Sequence, residues 1–186
     1  MPPNMPYGPT FRPPLSPVTL AVLYLLTSAN EVYALILNNI YLSLTVLFTY
    51  LTGRFISQRV GFLASFLLMM DIILISEANS THSDSLFLVL VSSAHYFLFR
   101  FTIAPEKIGN LVFSAILISL AILTRNIGLY FIPAMLVVLV WRCWSWQGLS
   151  KLVVTTTLFC LIIGGTIGGW KWRNHEITGS SAFASG

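Results

Sequence analysis

The chain has 186 residues, of which 56% are hydrophobic and 9% are charged, and its formal net charge is +4. Soluble globular domains carry about 25% charged residues, so the composition excludes a soluble domain and predicts an all-α membrane protein. The small positive charge calls for no nucleic-acid partner, because basic residues that anchor the chain at the membrane surface account for it.

The N-terminal region is rich in proline. The prolines predict that residues 1–14 form an extended outer segment. This segment is not predicted to be a signal peptide, because it lacks a basic start followed by an apolar core. Residues 15–29 are apolar but shorter than the roughly 20 residues that cross a bilayer. They predict a short interfacial or re-entrant helix on the outer side, with a conventional span as the alternative.

A transmembrane bundle is predicted over residues 31–170. Its apolar stretches are separated by short polar turns, and the short stretch 110–124 is accommodated where the bilayer thins. The six predicted spans are about 31–53, 60–78, 84–101, 110–124, 126–143 and 151–170. Residues 171–186 are predicted to begin an outer loop.

Lysines and arginines predict the orientation of the bundle, because cytoplasmic loops collect them. Alternation of the spans places six of the ten basic residues on one side, which is therefore predicted to be cytoplasmic. These six are Arg54, Arg59, Arg100, Lys107, Arg142 and Lys151. The loop with His82 and Asp84, the turn at Arg125 and the segment from Lys171 then face outward. The predicted location is the cell membrane, either plasma or inner.

A polar run that contains His82 and Asp84 separates the second and third spans. Asp84 is either a helix N-terminal acid or cap, or a carboxylate that binds a cation or orients a polar substrate. His82 is either an ordinary loop histidine or a ligand of a metal or phosphate. Both are candidate ligands of a divalent metal. Asp71 and Glu77, in the preceding span, can join Asp84 in an acidic outer pocket.

Arg125 lies between two apolar stretches, in the sequence Leu-Thr-Arg-Asn-Ile-Gly that covers 123–128. A tight turn needs no arginine, so the residue either snorkels to the membrane surface or contacts an anion. A guanidinium suits a phosphate group because its fork donates two parallel hydrogen bonds.

Arg173 and Asn174 follow the last apolar stretch, within a basic and aromatic cluster. The simple interpretation is an interfacial belt of tryptophans and basic residues. The glycines at 164, 165, 168 and 169 form overlapping small-residue pairs, which favour close packing between helices.

The order of these motifs resembles the multi-pass glycosyltransferases of the GT-C superfamily. The motifs are the Arg-Pro-Pro-Leu-Ser-Pro entry at 12–17, the Ser-rich outer loop with an acidic residue, Leu-Thr-Arg-x-x-Gly-Leu, and Trp-x-x-Arg-Asn-x-x-x-Thr-Gly-Ser. The nearest branch is the group similar to dolichyl-phosphate-mannose–protein mannosyltransferases and aminoarabinose transferases.

The resemblance implies transfer of a sugar, hexose or pentose, from a polyprenyl-phosphate carrier at the outer membrane face. The acceptor would be a lipid, a glycan or a protein, and surrounding membrane lipids are the other partners. Asp84 corresponds to a supporting acid of the family, and Arg125 to a basic residue that contacts the carrier phosphate. Arg173 and Asn174 match a later Arg-Asn motif with a structural or carrier-binding role, and His82 is a weaker carrier contact.

The family pattern also includes an earlier helix and an outer loop with the acidic residue usually assigned as the catalytic base. Residues 1–30 contain no Asp or Glu. We therefore expect the chain to be a fragment of a longer enzyme and inactive alone. The alternatives are a membrane transporter, with Asp71, Glu77, Asp84 and His95 along a path, and a non-catalytic membrane scaffold.

Overall fold

A computed structural model describes residues 13–27, 30–146 and 148–179. The helices in these ranges are α1 (Leu15–Thr27), α2 (Glu31–Gly53), α3 (Gln58–Met69), α4 (Ile72–Ala78), α5 (Asp84–Ile103), α6 (Ile108–Ile122), α7 (Phe131–Trp146) and α8 (Gly148–Thr178). A 3-10 helix, Asn126–Tyr130, precedes α7. The all-α prediction is confirmed for the described residues; the predicted extended segment at 1–14 lies almost entirely outside them.

Among the described residues, three helices are long and apolar enough to cross a membrane: α2, α5 and the Ser150–Ile177 part of α8. The count rises to four if the bent pair of α3 and α4 forms one span. Helices α1 and α6 are apolar but shorter. A membrane protein is therefore supported, while the number of six spans and the placement of α1 at the interface remain predictions.

The predicted span 60–78 is broken into α3 and α4, which meet at an angle of 64°. Asp71 causes the break because its backbone is extended and its carboxylate accepts the N–H groups of Ile73 and Leu74, at 3.0 and 3.4 Å. A short acidic side chain that bonds to nearby backbone competes with continued helix. Asp71 therefore starts a new helix, and it does not join an acidic pocket with Asp84.

Helices α5 and α6 form the centre of the bundle. Their buried side chains include Leu98 and Phe101 on α5 and Ile118 on α6, and Phe159 of α8 packs into the same core. Helix α2 contacts α5 through aromatic rings; the Phe48 and Tyr96 centroids, for example, lie 5.6 Å apart. The two helices run in the same direction, so one end of the bundle holds the starts of both. We call this end the Asp84 end, and the opposite one the Arg54 end.

Segment 171–178, predicted to begin an outer loop, instead continues α8 to Thr178. The helix ends where Gly179 adopts a positive φ of 71°, a conformation that commonly terminates helices. Tryptophan and the basic side chains before it are compatible with helix, so the change from apolar to polar residues does not end the helix. The remaining predicted loop, 180–186, lies outside the described residues.

Two glycines allow α2 and α3 to cross closely at the Arg54 end. A Cβ atom on Gly53 would lie 2.5 Å from the Cα of Gly61, and one on Gly61 would lie 2.6 Å from the carbonyl oxygen of Tyr50. Both neighbours are backbone atoms, which cannot rotate away. The contact between the helices therefore depends on the absence of side chains at these two positions.

Replacing Gly61 by alanine is expected to destabilise the protein by about 1–3 kcal/mol, the range typical of overpacking. The measurement is thermal unfolding of the purified chain in detergent. Gly164→Ala is the matched control, because a Cβ there meets nothing within 4 Å. Equal melting temperatures for the two variants would show that α2 and α3 do not cross as described.

Candidate functional site

Two turns meet at the Asp84 end of the bundle. One joins α4 to α5, and the other joins α6 to the 3-10 helix. They bring together Asp84, the first residue of α5, and Arg125, which pair through carboxylate and guanidinium. The side chains are 31% and 42% exposed, respectively. The structure therefore joins two residues that the sequence analysis singled out separately, and leaves both accessible to an external ligand.

The turn after α6 holds the backbone of Arg125 in place. Its N–H donates to the carbonyl of Ala121 at 2.9 Å, and its own carbonyl accepts the N–H of Gly128 at 3.0 Å. Gly128 is buried, and a Cβ atom there would lie 3.1 Å from backbone atoms of Ile122. The Leu-Thr-Arg-x-x-Gly sequence thus forms a tight turn whose glycine allows the chain to fold back against α6.

Glu77 and His82 form a second polar pair beside the first. The Nδ1 atom of His82 lies 2.7 Å from Oε2 of Glu77, and the side chains are 64% and 33% exposed. Ligand atoms of Glu77, His82 and Asp84 all lie within 4.8 Å of one another. Two carboxylates and an imidazole are suitable ligands for borderline divalent cations.

Helix α2 anchors the turn that carries this cluster. The amide of Asn38 donates to the carbonyl of Ser80 at 2.5 Å, and that of Asn39 donates to Ala78 at 3.4 Å. Asn38 is only 5% exposed, so its hydrogen bond lies inside the bundle, where loss of a partner is costly. Both asparagines bond to a neighbouring segment, which is their usual role between membrane helices.

The chain enters α1 next to the other turn. The N–H of Leu15 donates to the carbonyl of Leu123 at 3.0 Å. Because Leu123 lies two residues before Arg125, the described end of the proline-rich entry lies near the Asp84–Arg125 pair. No motif in the sequence indicates this contact.

Arg173 and Asn174 lie in the last turns of α8. Asn174 is fully buried, whereas Arg173 is exposed. The guanidinium of Arg173 donates to Oδ1 of Asn174 at 3.1 Å and lies 4.6 Å from the ring centre of Trp170. Both of these contacts are made within α8.

Glu77 is the residue that the sequence analysis missed as a partner of His82. Its position five residues before His82 gave a signal, since one helical turn followed by a tight loop can bring two such side chains together. The formal charges of the Glu77 and Asp84 carboxylates and the Arg125 guanidinium sum to −1. These three groups are therefore acidic in sum, with Arg125 as the cation among them.

The comparisons with known proteins bear on most of the chain. The family model described as dolichyl-phosphate-mannose-protein mannosyltransferase matches residues 11–170. No curated protein and no solved structure matches the chain. The matched range contains the Asp84–Arg125 pair, Glu77 and His82, and it ends before Arg173. The chain belongs to the dolichyl-phosphate-mannose-protein mannosyltransferase family, a group of GT-C-type membrane glycosyltransferases.

Proposed function

We propose that the Asp84 end binds the phosphate of a polyprenyl-phosphate sugar during glycosyl transfer. The observation that carries the proposal is the Asp84–Arg125 pair, in which the arginine side chain remains 42% exposed. A guanidinium has five N–H donors. Because Asp84 pairs with Arg125 through one carboxylate oxygen, several of these donors can still bind a phosphate. Family membership supports a lipid-linked sugar as the donor. The sugar is a hexose or pentose, and the acceptor a lipid, glycan or protein.

Asp84 serves in this proposal as a positioning residue. Its carboxylate fixes the guanidinium of Arg125, so one of its two oxygens is already engaged. A residue that deprotonates the acceptor must be able to receive that proton within hydrogen-bond reach. We therefore assign Asp84 to support of the carrier site, and we assign no base for the acceptor among the residues of this cluster.

The charges of Glu77, Asp84 and Arg125 sum to −1, which supports a bound divalent cation as a second component of the site besides Arg125. Glu77, His82 and Asp84 offer three ligand atoms close enough to converge on one ion with a small adjustment. Asp84 has a second oxygen beside the one that meets Arg125. A bound cation would change the sum from −1 to +1, and it would stabilise charge on a departing phosphate.

The test is equilibrium binding of a polyprenyl monophosphate to the purified full chain in nanodiscs. The uncharged polyprenol of the same length is the matched ligand, since it shares the apolar tail and lacks the phosphate. Binding of the phosphate form at least about tenfold more tightly is expected from one charged hydrogen-bonded contact. Equal binding of the two lipids would contradict the proposal.

We also propose that the Asp84 end faces the outside of the cell. The Arg54 end carries Arg54, Arg59 and Arg100, as expected for a cytoplasmic surface. Cysteines introduced at Ser83 and Ser57, both of which have exposed or half-exposed side chains, can be labelled in intact cells with an impermeant thiol reagent. Labelling of the Ser83 position alone is expected; labelling of the Ser57 position alone would reverse the orientation.

A further inference from the structure

A cavity of about 640 Å³ lies at the Arg54 end, between the last turn of α2 and the first turn of α3. It is lined by Tyr50, Ser57, Gln58, Arg59 and Phe62. Ligand pockets usually have volumes of about 300–1,000 Å³, so the space is sufficient for a phosphate-bearing headgroup. Helix α2 has 23 residues and is about 35 Å long at 1.5 Å per residue, which separates this cavity from the Asp84 end.

The polar groups of the cavity are suited to an anion. Its lining residues include Arg59, Gln58 and Tyr50, whose side chains carry a guanidinium, an amide and a hydroxyl group, respectively. None of the residues that line the cavity is acidic, and the first turn of α3 also contains no acidic residue. Because a guanidinium fork matches two oxygens of a phosphate, Arg59 is the principal contact that we expect.

An apolar surface continues from this cavity along α3. Phe62, which lines the cavity, is 65% exposed, and its ring stacks on that of Phe66 with centroids 6.2 Å apart. Leu63 and Leu67 on the same helix are also more than half exposed. A free phosphate ion would gain nothing from such a surface, whereas an acyl chain would bury it favourably.

The close crossing of α2 and α3 fixes the walls of the cavity. The absence of side chains at Gly53 and Gly61 lets the two backbones approach closely, and Tyr50 and Arg59 lie within three residues of this crossing. A preformed site loses less conformational entropy when a ligand binds. The walls of this cavity are therefore already in position before a ligand binds. An isolated arginine on a surface has no such preformed surroundings.

We propose that this cavity binds an anionic phospholipid, with the phosphate on Arg59 and an acyl chain along Phe62 and Phe66. The inference does not depend on the function proposed for the Asp84 end, because the two sites are at opposite ends of α2. The charge of Arg59, the volume of the cavity and the adjoining aromatic surface together favour binding of one lipid molecule over a general attraction of anionic lipids to this end of the bundle.

The experiment measures phosphatidylglycerol retained by the purified full chain, by native mass spectrometry, against phosphatidylcholine with the same acyl chains. Arg59→Ala is expected to lower phosphatidylglycerol binding about tenfold, and Arg59→Lys is expected to fall in between because the fork is lost and the charge kept. Lys151→Ala is the matched control: it removes one positive charge at the same end of the bundle, and a change below about twofold is expected.

Equal losses for Arg59→Ala and Lys151→Ala would overturn the proposal, since they would indicate general charge attraction. Displacement of phosphatidylglycerol by millimolar inorganic phosphate would also overturn it, because the apolar contacts would then contribute nothing. Arg125→Ala is expected to leave phosphatidylglycerol binding unchanged, which separates this site from the Asp84 end. A loss of phosphatidylglycerol in Arg125→Ala equal to that in Arg59→Ala would assign the lipid to the other end and contradict the proposal.

Discussion

Replacing Arg125 by alanine is expected to weaken binding of a polyprenyl monophosphate by about 10- to 100-fold, the range for hydrogen bonds to a charged group. The guanidinium is the cationic group at the edge of an otherwise acidic cluster, and its side chain is 42% exposed. Without it, Glu77 and Asp84 would face the incoming phosphate with unbalanced negative charge. Repulsion therefore adds to the loss of direct contact.

Three controls separate this role from a structural one. Arg125→Lys retains the charge without the fork and should recover part of the affinity. Lys151→Ala removes a positive charge at the Arg54 end and should have little effect. Binding of the uncharged polyprenol should be the same in Arg125→Ala as in the original chain. If polyprenol binding falls equally, Arg125 supports the fold of the site and does not contact the phosphate.

The sequence predicted the helices well because long apolar stretches between charged turns admit few alternatives. It predicted less well where one polar residue decides between two backbone paths. Asp71 was assigned to a continuous span, although its carboxylate caps a new helix. Conversely, Lys171 and Arg173 were assigned to a loop, although long basic side chains are good helix formers, and α8 continues through them.

The residues of the site were predicted individually, but their arrangement was not. Asp84 and Arg125 are 41 positions apart in the sequence, and only the packing of α5 against α6 makes them neighbours. The anchoring of Ser80 by Asn38 has the same origin, because it depends on the contact of α2 with the turn before α5. Contacts between helices of this kind are determined by the shape of the whole bundle, which local sequence patterns do not encode.

The structure also bears on the alternative that the protein is a membrane transporter. That alternative needs a polar path through the bundle that is lined by Asp71, Glu77, Asp84 and His95. Asp71 is occupied as a helix cap. His95 bonds through Nδ1 to the carbonyl of Val91 at 2.8 Å and packs edge-on against Phe131. The acidic residues that do meet, Glu77 and Asp84, lie together at one end of the bundle. The acidic cluster therefore lies at one end of the bundle, whereas the transporter alternative needs polar groups along the length of the bundle.

Removal of divalent cations is expected to lower polyprenyl-phosphate binding about tenfold or more. A unit charge pair at 4 Å is worth about 1 kcal/mol in bulk water and about 4 kcal/mol at an effective dielectric constant near 20. Because the cluster is half-exposed, the interaction energy lies in the lower part of the range from about 1 to about 4 kcal/mol. A divalent ion doubles this energy because it carries two charges. The measurement is polyprenyl-phosphate binding with a chelator, then with added Mn²⁺ or Zn²⁺.

The same assay on His82→Ala tests whether the cation is held by this cluster. His82 supplies the imidazole nitrogen among the three ligand atoms that lie within 4.8 Å, so its loss should abolish most of the response to added metal. His175→Ala is the matched control, because this exposed histidine lies on α8 outside the cluster. If His82→Ala and His175→Ala respond to metal equally, the cation is bound elsewhere. If the chelator has no effect on the original chain, Arg125 alone neutralises the phosphate, and the acidic pair of Glu77 and Asp84 serves to hold that arginine in place.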